Sequence, residues 1–127
     1  MIDITIPIRV PTTNELLRMH YFTRSRLLRQ IANEIWVALP KEIRGRKYYL
    51  RKVRVHIERH STIEPDPDGL DGAKKLVLDV LQPSSKRHPY GIGVIANDNS
   101  QCVESTVKHV KCKGGVKKTR IVVEALP

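Results

Sequence analysis

The segment YYLRKVRVHIERH, residues 48–60, constrains the fold most. Val53, Val55 and Ile57 recur with a period of two, and Lys52, Arg54, His56 and Glu58 fill the alternate positions. Successive side chains of a strand point to opposite faces, so the pattern predicts a strand with one buried face and one wet, largely basic face. The N-terminal IDITIPIRV repeats the alternation with Ile2, Ile4, Ile6 and Ile8, and Pro7 marks an edge or a strand end. Two segments carry helical spacing instead. Leu27, Leu28, Ile31, Ile35 and Leu39 define a helix from about Thr23, ended by Pro40; Leu70, Ala73, Val77, Val80 and Leu81 define a second that stops before Pro83. PTTNE reads as a turn and VIA, residues 94–96, as a short strand. CVESTVKHVKC and KKTRIVVEAL flank KGG and read as a C-terminal hairpin. The resulting order, β, α, β, α, short β, β, β, predicts an α+β fold: a mixed β-sheet with two main helices packed on it.

A chain of 127 residues with 40% hydrophobic content supports one domain, residues 1–127, with a modest core. No run of about 18 apolar residues is present, so no membrane span is expected. The N-terminus lacks a long apolar stretch and argues against a secretory signal. Cys102 and Cys112 have no CxxC spacing, and a free pair in a reducing cytoplasm is the expectation. The net charge of +10 favours a nucleic-acid partner, because lysines and arginines release counterions from phosphates. With one Trp, one Phe and four Tyr, single-strand stacking platforms are not expected.

Against this basic background, EPDPDGLDGAKK gathers acids. Glu64, Asp66, Asp68, Asp71 and Asp79 are five of the 13 Asp and Glu residues. Carboxylates on a phosphate-binding surface repel the ligand unless a cation offsets them. Pro67 biases Asp66 towards extended backbone, and in an extended chain residues two apart share a side. Asp66 and Asp68 then face one hard cation such as Mg²⁺, which takes one or two carboxylates plus water and phosphate. The alternative is structural: Asp68 as a helix N-cap, Asp71 in the positive first turn and paired with Lys75 four residues on. Asp98, in NDNSQ, is either a turn former or a third ligand.

These residues resemble the RusA family of Holliday junction resolvases. The resemblance rests on Asp66-Pro67-Asp68, Gly69-Leu70, Lys75, Asp79-Val80-Leu81 and Asp98, with Pro11, Thr12 and Asn14 similar to the family's N-terminal Pro-Ser/Thr-x-Asn element. It covers most of the chain in order. Lys75 lies three residues further from the acidic pair than in the common family form, and Asn97 stands where a second acid is usual. The resemblance implies a RusA-like homodimer of bacterial or phage origin, working in the cytoplasm. It would nick two strands of a four-way DNA junction with Mg²⁺, for which Mn²⁺ is a possible substitute. It also implies Asp66, Asp68 and Asp98 as metal ligands, Lys75 at the phosphate, and Asp71 and Asp79 as supporting residues. Arg24, Arg26, Arg29, Arg51, Arg54, Arg59, Lys86 and Arg87 are the candidate DNA-backbone contacts. A non-catalytic basic nucleic-acid-binding protein and a metal-dependent nuclease with another substrate are the competing expectations.

Overall fold

The structure, a computed structural model, describes residues 1–44, 52–87, 89–96, 102–112 and 116–127. Its elements are β1 (Ile2–Ile6), α1 (Thr13–Arg18), α2 (Tyr21–Ala38), β2 (Val53–Ser61), α3 (Pro67–Leu81), β3 (Val103–Lys111) and β4 (Lys118–Ala125). The strands form one four-stranded mixed sheet in the order β1-β4-β2-β3. β4 runs antiparallel to both of its neighbours, β1 and β2, while β2 and β3 are parallel. A parallel pair needs a crossover connection, and α3 supplies it. The fold is therefore α+β, as the periodicities predict.

The alternation in β2 sets the two faces of the sheet. Val53, Val55 and Ile57 are buried, as are Ile2, Ile4 and Ile6 of β1 and Ile121 and Val123 of β4. Register aligns Ile4, Ile121, Ile57 and Val107 in one row across all four strands. Over this face α2 contributes Ile31 and Ile35, its C-cap Leu39 follows them, and α3 contributes Ala73, Leu76, Val77, Val80 and Leu81. Each fully buried aliphatic side chain of this kind stabilises the fold by about 1.5–3 kcal/mol. The opposite face is polar and carries charge pairs between strands. Arg120 of β4 joins Asp3 of β1 at 2.6 Å and reaches Glu58 of β2 at 3.6 Å, and Lys108 of β3 closes on Glu58 at 3.6 Å. Burial raises the Glu58 carboxyl, but Lys108, Arg120 and His56 outweigh it and hold the group below its ordinary value.

Three expectations are corrected. PTTNE is not a turn but the start of α1. The Thr12 hydroxyl accepts from the Glu15 amide, and the Glu15 carboxylate accepts from the Thr12 amide, both at 3.3 Å, forming a capping box. The last two strands are not a hairpin, because β2 lies between β3 and β4. β2 instead pairs in parallel with β3 on one edge and antiparallel with β4 on the other. VIA is not a strand of the sheet: Val94 and Ile95 are buried, and their segment folds back along the end of α3. There the amides of Ile92, Gly93 and Ile95 donate to the carbonyls of Val80, Gln82 and Leu81 at 2.8, 2.9 and 3.1 Å, which satisfies the end of the helix.

Candidate active site

The site is built where the buried face of the sheet turns polar. Continuing the inward alternation of β2, Arg59 and Ser61 follow Ile57, and Thr119 of β4 lies opposite Arg59. Arg59 is only 1% exposed. Its Nε donates to the Val10 carbonyl at 2.7 Å, one terminal nitrogen to Ser61 Oγ at 3.2 Å, and the other to Glu15 Oε1 at 2.8 Å. Thr119 Oγ1 donates to the Ile8 carbonyl at 2.8 Å and accepts from the Val10 amide at 3.1 Å. Together these two side chains pin residues 8–15 across the end of the sheet. Burial first, and the Arg9 charge second, lower the Arg59 guanidinium from its ordinary value, while Glu15 opposes them.

The start of α3 meets this pinned segment. Asp66, extended at φ −67° and ψ 165°, is the N-cap, and its Oδ1 accepts from the Gly69 amide at 2.7 Å. Pro67 occupies the first helical position, where its missing N–H costs nothing. The expected cap, Asp68, instead sits inside the first turn. The same-side geometry of an extended Asp66–Asp68 pair therefore does not hold, because the helix begins between the two residues. Both remain exposed. Asp71 pairs with Lys74 at 3.8 Å rather than with Lys75.

Two depressions flank the contact between α1 and α3. One, a polar cleft of about 410 Å³, is lined by Arg9, Thr12, Asn14, Arg18, Arg59 and Asp66 among others. The sequence elements at Thr12–Asn14 and Asp66, more than 50 residues apart in the chain, thus share one cleft. The other is a mostly apolar groove of about 280 Å³ that carries Lys75, Asp79 and Arg87 together with Leu16, Leu28 and Tyr90. Asp79 Oδ1 also accepts from Gln82 Nε2 at 3.4 Å.

The candidate backbone contacts divide. Lys86 and Arg87 are exposed, Arg87 in the same groove as Lys75; Arg26 and Arg29 are exposed on α2, and Arg24 is half-buried there. The Arg29 guanidinium lies 5.8 Å from the ring centre of Tyr90, beside the groove. Arg59 is corrected from surface contact to buried strut. Arg54 lies on the polar sheet face, half exposed, and pairs with Glu104 at 3.3 Å and Glu124 at 3.8 Å. Arg51 and Asp98 lie outside the described residues.

Asp66 and Asp68 offer hard oxygen donors, which fit Mg²⁺ or Mn²⁺ in kind and in the one or two carboxylates such ions require. Among the described residues no three His, Cys, Asp or Glu side chains gather closely enough to hold a metal ion. Nor is any described helix long and apolar enough to cross a membrane. In comparisons with known proteins, no family model matches the chain, and no curated protein matches it. The residues that sequence reasoning missed are Arg9, Glu15 and Arg18. Their signal was present: Thr12-x-x-Glu15 has the spacing of a capping box, with an arginine three residues to either side.

Proposed function

We propose that the protein is a Mg²⁺-dependent, structure-specific endonuclease that resolves four-way DNA junctions by paired phosphodiester nicks, acting as a RusA-like homodimer in DNA recombination and repair. The supporting observation is the convergence of Thr12, Asn14 and Asp66 on one cleft, with Lys75 in the groove across the α1–α3 contact. Asp66 and Asp68, with Asp98, would hold the ion. An ion held there would supply Lewis-acid polarisation of the scissile phosphate and would lower the pKa of a coordinated water. The Lys75 ammonium supplies positive charge to the phosphate as negative charge builds in the transition state. Asp79, four residues on along α3, orients that lysine. Arg24, Arg26, Arg29, Lys86 and Arg87 give sequence-independent grip on the backbone. A two-fold dimer presents two such sites to opposed strands.

The competing reading, a non-catalytic nucleic-acid binder, is favoured by one contact: the Asp66 carboxylate already caps α3. Incubating the protein with a four-way junction, matched duplex, flap and RNA, with and without Mg²⁺, separates the readings. Symmetric Mg²⁺-dependent nicks confined to the junction support resolution. Binding without cleavage in either condition supports the binder, and cleavage of another substrate identifies a different nuclease.

A further inference from the structure

The charges around Glu15 do not balance. Its Oε2 accepts from Arg9 at 2.6 Å and its Oε1 from Arg59 at 2.8 Å, so one carboxylate serves two guanidiniums. The trio carries a surplus positive charge, and Arg59 is too deeply buried for water to hydrate it fully. Arg18, from the last turn of α1, opens onto the same cleft, as does the amide side chain of Asn14. Three guanidiniums from three segments, against the carboxylates of Glu15 and Asp66, leave the cleft net positive. A guanidinium offers five N–H donors in a fork matched to phosphate oxygens, and Arg59 spends one on each of three partners.

We propose that the cleft formed by Arg9, Arg18 and Asn14, with the Arg59 charge buried behind them, is a seat for a phosphate oxyanion, and that it holds the phosphodiester of a nucleic-acid strand running past Asp66. The oxyanion completes the charge balance of the arginine pair that Glu15 satisfies only in part. Asp66, at the rim, keeps the anion towards the arginine side. The seat itself follows from the charges of the cleft; its assignment to a nucleic-acid phosphodiester rests on the function proposed above.

The test is a ¹H–¹⁵N titration of the full chain with inorganic phosphate, following the Thr12 and Gly69 amides, alongside junction-binding isotherms at several salt concentrations in EDTA. Wild type is expected to show saturable phosphate shifts at both amides. Arg18→Gln, at the exposed end of α1, leaves the Glu15 network untouched, and Arg9→Gln removes one of its arms. Each is expected to weaken phosphate binding at least about 5-fold and to lower the salt slope of junction binding by about 1. Phosphate shifts that are absent, or unchanged in both variants, overturn the seat. Phosphate binding that depends on the arginines while junction affinity does not overturns the nucleic-acid assignment and identifies a free-phosphate site. A protein that passes the phosphate test but nicks no junction keeps the seat and loses the resolvase; one that nicks junctions with unaltered phosphate and junction binding in both variants keeps the resolvase and loses the seat.

Discussion

Replacing Gly72 by alanine tests whether the α1–α3 contact is as close as the site requires. In an ordinary helix interior this change stabilises by about 1 kcal/mol, because glycine gives up more backbone freedom on folding. Here a Cβ on residue 72 would lie 1.7 Å from Thr13 Oγ1, 2.9 Å from Thr13 Cβ and 3.0 Å from the Thr13 backbone nitrogen. Rotating the Thr13 side chain relieves only the first contact. The other two yield only if α1 moves away from α3, and overpacking of this sort costs about 1–3 kcal/mol. Setting the propensity gain against that cost leaves Gly72→Ala less stable by about 1 kcal/mol, a fall in Tm of about 3–5 °C at this chain length. Urea denaturation and a thermal melt measure it. Junction nicking is expected to fall further than the stability loss explains, because Thr12 and Asn14 move with α1. Adding Thr13→Gly removes the opposing Cβ and is expected to restore part of both losses. A Gly72→Ala protein more stable than wild type would refute the close approach.

The remaining predictions concern charge. Glu58, held below its ordinary value of 4.5 by the cations around it, contributes stability that is present above that value and lost as pH falls through its lower folded pKa. Urea midpoints at pH 7 and pH 3 are therefore expected to differ less in Glu58→Gln than in wild type, and an equal difference counts against the charge cluster. Arg59→Met leaves the Val10 carbonyl and Ser61 without their donor and is expected to cost about 2–4 kcal/mol by chemical denaturation. Asp66→Ala removes the cap of α3 and is expected to lose about 1 kcal/mol, whereas Asp66→Asn keeps a capping oxygen and stays near wild-type stability. Asp68→Asn caps nothing: it is expected to fold normally, bind junctions in EDTA and nick none in Mg²⁺. A fully active Asp68→Asn would remove the carboxylate from the chemistry.

Periodicity revealed what burial enforces. Ile2, Ile4 and Ile6, Val53, Val55 and Ile57, and the apolar stripes of α2 and α3 are legible because each lies on one face of its own element. What escaped was set by partners distant in the chain. β3 and β4 follow one another in sequence and resemble a hairpin, but β4 pairs along its length with β1 on one edge and β2 on the other. Arg59 has the look of a surface arginine until Val10, Glu15 and Ser61 surround it. Two local signals were available in the letters. Pro67 marks the first helical position and so makes Asp66 the cap, and Thr12-x-x-Glu15 marks the start of α1.

The order of the strands sets the order of assembly. β4 occupies residues 118–125 yet bridges β1 and β2, which make no pairing with one another. During synthesis the first strand must wait, its edge unsatisfied, until more than a hundred further residues have been added. Only then can the sheet close and Thr119 reach Ile8 and Val10 to draw the N-terminal segment over its end. Such long-range closure makes for slow folding, and it means that the cleft is among the last features of the molecule to form.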